Sequence, residues 1–369
     1  MNELLGVSVI VLNYNYGHFL ATAIDSALNQ DHPLCEVIVV DDGSTDNSRA
    51  VIARFGDRIR SVLRETNDGQ IPALNGAWPL ARHPILIFLD ADDVLFPHAA
   101  ATIARHWTPG TVKTQSPLVT IDKEGRQVGN VAPKYPPNLD TAALRRTLLR
   151  TGGCLVSPSS GNAYSRALLE AVARDGGFAI QENLREFCMD FIMEHNAPFY
   201  GEVVTIYEPL ACYRMHNSND NMFNTIDKAR FDKLSRYLTL TIDYFAGRCR
   251  MWGIAFDPTA ARNRSIWGLE CRLAADKLAP SRDSLADPIW RTLSRALKAC
   301  MDAELPISNR IIRSFWFLSV AVSPRPLAKQ LIILRFKVIE RPRWLEPVLR
   351  TIMNITGWRR SSRSEAISR

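Results

Sequence analysis

The N-terminal half of the chain alternates two hydrophobic patterns. Short apolar runs lie at Val7 to Leu12, Cys35 to Val40 and Pro84 to Leu89, with a more mixed run at Ile59 to Arg64. Runs of this length, bounded by polar residues, predict buried strands. Between them apolar residues return at helical spacing: Phe19, Leu20, Ile24, Ala27 and Leu28, then Ser48 to Phe55, then Ala73, Leu74, Ala77 and Trp78. Strand alternating with helix predicts a parallel sheet with helices on both faces, joined by right-handed crossovers.

In sheets of this kind ligands bind beyond the carboxyl ends of the strands. Three of the predicted strand ends carry Asn13-Tyr14, Asp41-Asp42 and Asp90 to Asp92, so these groups are expected to converge on one crevice. The run Phe88-Leu89-Asp90-Ala91-Asp92-Asp93 places three carboxylates at the end of a buried strand, where they must be paired or neutralised. A divalent cation such as Mg²⁺ or Mn²⁺ suits them, because it takes one or two protein carboxylates and leaves its other positions to water and phosphate. A solvated strand end that caps a helix beginning at Val94-Leu95-Phe96 is the alternative. Asp41 is placed to accept hydrogen bonds from a base or ribose, or else to cap the turn, the role that suits Ser44, Thr45 and Asp46.

Two nucleotide-binding classes lack their signatures. Neither G-x-G-x-x-G nor G-x-x-x-x-G-K-[ST] occurs, which weakens the dinucleotide and ATPase alternatives. A nucleotidyltransferase would open with a Gly-rich basic loop after its first strand, and Asn13 to Gly17 has none. Composition adds a bound: at 46% hydrophobic and 22% charged residues over 369 positions, the chain is expected to be globular, with room for two domains. Its seven cysteines are scattered without C-x-x-C spacing, and no basic flank or cleavage site precedes the first strand. Reduced thiols, no signal peptide and a cytoplasmic location are the expectation.

Four segments in order resemble the inverting family 2 glycosyltransferases: Val7 to Val11 with Asn13-Tyr14-Asn15, Glu36 to Asp46, Asn67-Asp68-Gly69 with Ala73-Leu74-Asn75-Gly76, and Phe88 to Asp93. The likeness covers roughly residues 6 to 220; Leu12 stands where the family often has proline. The resemblance implies a GT-A fold, an α/β mixed sheet flanked by helices, with a nucleotide-diphospho-sugar donor and Mn²⁺ or Mg²⁺ at a D-x-D motif. Asp92 would be the metal ligand, Asp90 would face the ribose and metal, and Asn13, Tyr14, Asp41 and Asn67 would serve the donor. Asp190, after Gly176-Gly177-Phe178, matches the position of the family's general base, with Glu182 and Glu186 as rivals. Arg214 and His216 match the segment closing the catalytic domain, where Arg214 would meet the diphosphate and His216 the metal or the diphosphate. Gly161 to Arg166 resembles the acceptor side, and the acceptor itself would be a glycan or a lipid-linked sugar. A catalytically silent nucleotide-sugar-binding scaffold is the rival from another class, and intact Asp92 and Asp190 argue against it.

These features divide the chain into a catalytic domain at residues 1–222 and a helical appendage at residues 223–369. The formal net charge of +7 is concentrated late: thirteen Lys and Arg follow Pro306 against three acids. Phe315 to Val322 is apolar but shorter than the roughly 20 residues a bilayer span requires. Trp344, Leu345, Val348, Leu349, Ile352 and Ile355 form a helical stripe among Arg341, Arg343, Arg350, Arg359 and Arg360, with Trp358 near its end. That composition suits an anionic membrane surface on the cytoplasmic face, or a helix packed on the catalytic domain. No nucleic-acid-binding motif accompanies it, and nucleic acid is not an expected partner.

Overall fold

The computed structural model describes residues 4–128, 131–155, 157–178, 188–216, 225–279 and 288–336. The helical stripe at residues 344–355 and the rival bases Glu182 and Glu186 lie outside the described residues. The chain divides into two compact units, Met1–Asp220 with Tyr244–Phe256, and Asn221–Asp243 with Asp257–Arg369.

The first unit opens β1 (Val7–Asn13), α1 (Gly17–Leu28), β2 (Cys35–Asp42), α2 (Ser48–Ala53), β3 (Arg60–Arg64), α3 (Gln70–Ala77) and β4 (Ile85–Asp90). It continues through β5 (Val94–Leu95), α4 (Ala99–His106), β6 (Thr111–Gln115), β7 (Leu118–Ile121), α5 (Thr141–Thr151), β8 (Asn162–Ser165) and α6 (Arg166–Arg174). The helix α7 (Met189–Tyr200) and strands β9 (Glu202–Thr205) and β10 (Ala211–Arg214) follow.

Seven strands form the main sheet in the order β3-β2-β1-β4-β8-β6-β9. β1, β2, β3 and β4 pair in parallel, whereas β8 runs antiparallel to both β4 and β6. The four strands of the alternation are parallel as expected, and β8 makes the whole sheet mixed, as the resemblance implied. β5, β10 and β7 make a second, three-stranded sheet. Val94-Leu95 pairs with β10 and helix α4 begins only at Ala99, so the acids before Val94 do not cap a helix there.

Every residue of β1 is buried, and Val9, Val11, Val37, Val39, Ile87 and Leu89 meet Leu20 and Ile24 of α1 in one core. Each such side chain contributes about 1.5–3 kcal/mol by leaving water. The register sets the site, since Leu12 pairs with Asp90 and Asn13 with Asp41. Burial of the apolar runs thus fixes three polar strand ends side by side.

The turn after β2 depends on Gly43, which holds φ +71°, and a Cβ there would stand 2.6 Å from the Thr66 carbonyl carbon. Tyr244–Phe256 also belongs to this unit, where Phe245 and Cys249 pack on Leu148.

The second unit is helical. It contains most of α8 (Lys228–Met251), then α9 (Pro258–Arg264), α10 (Ile266–Leu278), α11 (Ile289–Asp302), α12 (Ile307–Val322) and α13 (Arg325–Phe336). Phe231, Leu273, Phe317 and Ile332 lie in its core. Beside them the buried Glu270 carboxylate receives Arg313 at 3.0 Å and Arg335 at 2.8 Å.

Gly43→Ala is expected to destabilise the protein by about 1–3 kcal/mol through the left-handed backbone and the collision with Thr66. Chemical denaturation monitored by fluorescence measures it; an unchanged midpoint would show that the two turns separate without cost.

Candidate active site

At the carboxyl end of β1, Asn13 donates from Nδ2 to Asp41 Oδ1 at 2.7 Å and to Ser44 Oγ at 3.1 Å. Its Oδ1 is buried and has no hydrogen-bond partner. Asn15 adopts φ +58°, a conformation its short amide tolerates, and its Oδ1 accepts from the Thr45 N–H at 2.8 Å. These bonds join the turns after β1 and β2. Asp42 extends the connection, accepting the Gly69 N–H at 2.9 Å and the Arg64 guanidinium at 3.2 Å. Asn67 is half-buried, and its side chain accepts the Gly69 N–H at 3.0 Å. Tyr14 stands at the rim and is 41% exposed.

The acids after β4 take separate positions. Asp93 accepts the Ser160 hydroxyl at 2.6 Å and the Arg214 N–H at 2.8 Å. Arg214 is buried and donates from Nε to the Asp92 carbonyl at 2.7 Å and from Nη1 to the Asp122 and Lys123 carbonyls, both at 3.2 Å. Its guanidinium also lies 4.8 Å from the Phe19 ring centre. Asp92 Oδ2 meets His216 Nε2 at 2.9 Å, and the His216 ring rests against Tyr16 and Phe19 at 5.4 and 5.0 Å. Burial first, then the charges of Asp93, Asp92 and Asp190, holds the Asp90 carboxyl well above the usual range. Burial and neighbouring Asp92 do the same to Asp93.

Asp190 occupies the first turn of α7. Burial pushes its carboxyl up to about 6, against the pull of the Ser159 hydroxyl and the Lys113 ammonium. Ser159 pulls the Asp90 carboxyl down as well, so it lies beside both the acid after β4 and the acid on α7. Asp190 Oδ1 is buried with no hydrogen-bond partner. One turn further, Glu194 is 4% exposed with its Oε1 likewise unpartnered, and burial, with Asp190 adding to it, holds its carboxyl well above the usual range. Lys113 lies behind both, donating to Gln115 at 3.3 Å and standing 5.9 Å from the Tyr164 ring centre.

The structure thus places Asn13 with Asp41, Asp92 with His216 and Asp90 with Asp190, while Asn67 caps its own turn and Arg214 spends the donors described above on backbone carbonyls. Sequence reasoning assigned no role to Asp93, Ser159, Lys113 or Glu194. Asp93 looks identical to Asp92 in sequence, and only the strand β10 distinguishes them. Lys113 and Glu194 carried one signal, a charged residue within an otherwise strand- or helix-forming stretch.

A divalent ion fits the Asp92–His216 pair. Asp92 Oδ2 and His216 Nε2 are hydrogen-bonded to each other at 2.9 Å, and carboxylate oxygen and imidazole nitrogen both ligate divalent ions. Among the described residues no three His, Cys, Asp or Glu groups form a closed metal cage.

A mixed sheet with acids gathered at its parallel strand ends defines a GT-A type glycosyltransferase domain. Residues 8–172 match the family model described as glycosyl transferase family 2, and this matched segment is a domain of that family. An uncharacterised glycosyltransferase, alr2836 of Nostoc sp., is 35% identical over 222 residues, which are 58% of this chain and 66% of that protein. The UDP-Glc:alpha-D-GlcNAc-diphosphoundecaprenol beta-1,3-glucosyltransferase WfgD of Escherichia coli is 37% identical over 89 residues, 24% of this chain and 35% of that protein. A structure of S. aureus TarS residues 1–349 in complex with UDP-GlcNAc shares the fold at 17% identity and a TM-score of 0.52, covering 91% of this chain and 90% of that one.

Asp93→Ala leaves the buried Arg214 N–H without its acceptor and is expected to cost about 1–3 kcal/mol. Thermal unfolding beside the wild type measures this, and a wild-type midpoint would remove Asp93 from the framework.

Proposed function

We propose that the protein is an inverting glycosyltransferase that moves a sugar from a nucleotide-diphospho-sugar to a hydroxyl of a glycan or lipid-linked acceptor in cell-surface polysaccharide synthesis. The observation that carries this is the linked set of acids, with Asp92 on His216 and Asp90 sharing Ser159 with Asp190. Family membership of residues 8–172 supports it. WfgD, whose name gives a nucleotide-sugar donor and a lipid-diphosphate acceptor, supports the substrate classes.

In this mechanism the donor's base and ribose lie over the Asn13–Asp41–Ser44 turn, where the unpartnered Asn13 Oδ1 accepts a donor N–H or O–H. Asp92 and His216 would hold Mn²⁺ or Mg²⁺, which would supply neutralising charge at the diphosphate. Arg214 fixes the Asp92 main chain and supports this pair from behind. Asp190 removes the proton of the acceptor hydroxyl as its oxygen attacks the anomeric carbon from the face opposite the diphosphate. The new bond joins that oxygen to the anomeric carbon and the bond to phosphate oxygen breaks, which inverts the configuration. A carboxyl near 6 is ionised at neutral pH yet more basic than an ordinary aspartate, as a general base requires. Ser159 and the Lys113 ammonium keep it in that range against burial.

Calorimetry with UDP-, GDP- and dTDP-sugars, each with and without Mn²⁺, identifies the donor. Binding of one of them is expected to need the ion, and Asp92→Asn is expected to remove the ion-dependent part; unchanged affinity would take Asp92 off the metal. Asp190→Asn is expected to leave donor affinity in place while lowering kcat by about 10²–10⁴-fold. In the same assay kcat/KM of the wild type should fall below pH about 6 as Asp190 is protonated. Lys113→Met, which removes a charge favouring the carboxylate, should move that limb to higher pH. A flat acid limb, or near-normal turnover without the Asp190 carboxylate, would place the base elsewhere.

A further inference from the structure

Helix α12 buries Phe317, Val320 and Ala321 in the core of the second unit. Its outer face consists of Ile307, Ile311, Phe315, Leu318 and Val322, at intervals of four, four, three and four residues, and these side chains are between 46% and 73% exposed. A helix face that points outward normally carries polar residues. Here five consecutive outward positions are apolar, and at 1.5 Å per residue the stripe runs about 22 Å. Toward α11 the stripe meets Leu297 and Met301 across a shallow groove of about 490 Å³. Trp290 on α11 and Leu327 on α13 are 58% and 53% exposed.

A contiguous apolar surface of this kind marks an interaction site. The charge around it identifies the partner. Residues 288–336 contain eight Lys and Arg, of which Arg313 and Arg335 are paired with Glu270, against two acids, Asp302 and Glu304. Lys298 shares the exposed face of α11 with Met301, and Arg325 and Lys329 are exposed at the start of α13. Aliphatic and aromatic side chains bordered by cations match an anionic bilayer, in which the apolar residues enter the acyl boundary and the cations meet the headgroups. None of the described helices is long and apolar enough to cross a membrane, so a helix lying in the interface is the geometry available.

We propose that the exposed stripe of α12, Ile307, Ile311, Phe315, Leu318 and Val322, is a membrane-docking face that seats the second unit on an anionic lipid surface. The proposal stands apart from the catalytic one, because it rests on the second unit alone.

The test is co-sedimentation of the full chain with vesicles of phosphatidylcholine alone or with one-third phosphatidylglycerol, at physiological salt. The wild type is expected to bind only the anionic vesicles. Ile311→Asp with Phe315→Asp should weaken binding about tenfold or more, with an unchanged circular dichroism spectrum and melting temperature, since both side chains are already in water. Ile311→Lys with Phe315→Lys separates insertion from charge attraction: weakened binding supports insertion of the apolar face, and stronger binding overturns it. Binding retained by both double variants would assign membrane attachment to another part of the chain and overturn the proposal. So would absence of wild-type binding, or a wild-type dimer that the variants dissociate without altered vesicle binding, which would make the face a contact between copies. Donor calorimetry on the same variants should match the wild type, so failure here leaves the catalytic proposal untouched.

Discussion

Four carboxyl groups, Asp90, Asp92, Asp93 and Asp190, share a space with little water, and their mutual repulsion constrains everything built around them. The apolar strands β1, β2 and β4 force the cluster into being, because their burial fixes the register that brings the strand ends together. Each acid then needs its own means of compensation. Asp93 takes a serine hydroxyl and a backbone N–H, Asp92 takes an imidazole, Asp90 has Ser159, and Asp190 has Ser159, the Lys113 ammonium and backbone N–H groups. These partners do not offset burial, and the Asp90 and Asp190 carboxyls both stay above the usual range.

Adjacent residues therefore perform different work. Asp92 and Asp93 follow one another in sequence, yet one points its carboxylate toward His216 and the other anchors the main chain of β10. The strand that Asp93 holds carries Arg214, and Arg214 in turn grips the carbonyl of Asp92. A closed circuit of bonds thus links the two acids through a segment more than a hundred residues away. The turns after β1 and β2 are tied equally firmly, by Asn13 to Asp41 and by Asp42 to Gly69.

The parts of this arrangement that were legible in the sequence are those whose burial is purely apolar. Val7 to Leu12, Val37 to Val40 and Ile85 to Leu89 are written in Val, Ile, Leu and Phe, with Ser8 the only polar residue among them, and their polar ends stand out against that background. β6 was not legible, since Thr111, Lys113, Thr114 and Gln115 are polar and nonetheless buried. Their burial depends on partners such as Thr205, 90 residues away, and no local pattern encodes that. Helix α5 was missed although its signals were present: Asp140 caps its first turn and Gly152 ends it at φ +70°. The direction of β8 likewise follows from where its neighbours lie, not from its own four residues.

The raised carboxyls bear on how the cluster exchanges ions with its surroundings. Asp90, Asp93, Asp190 and Glu194 each hold a proton more tightly than an aspartate or glutamate in water. A cation entering such a cluster displaces protons, and the two compete for the same negative charge. A cation's affinity for such a cluster then rises with pH, most steeply where the carboxyls are all protonated. The cell's own acidity becomes a rival ligand, present at every moment and at a concentration the protein does not control.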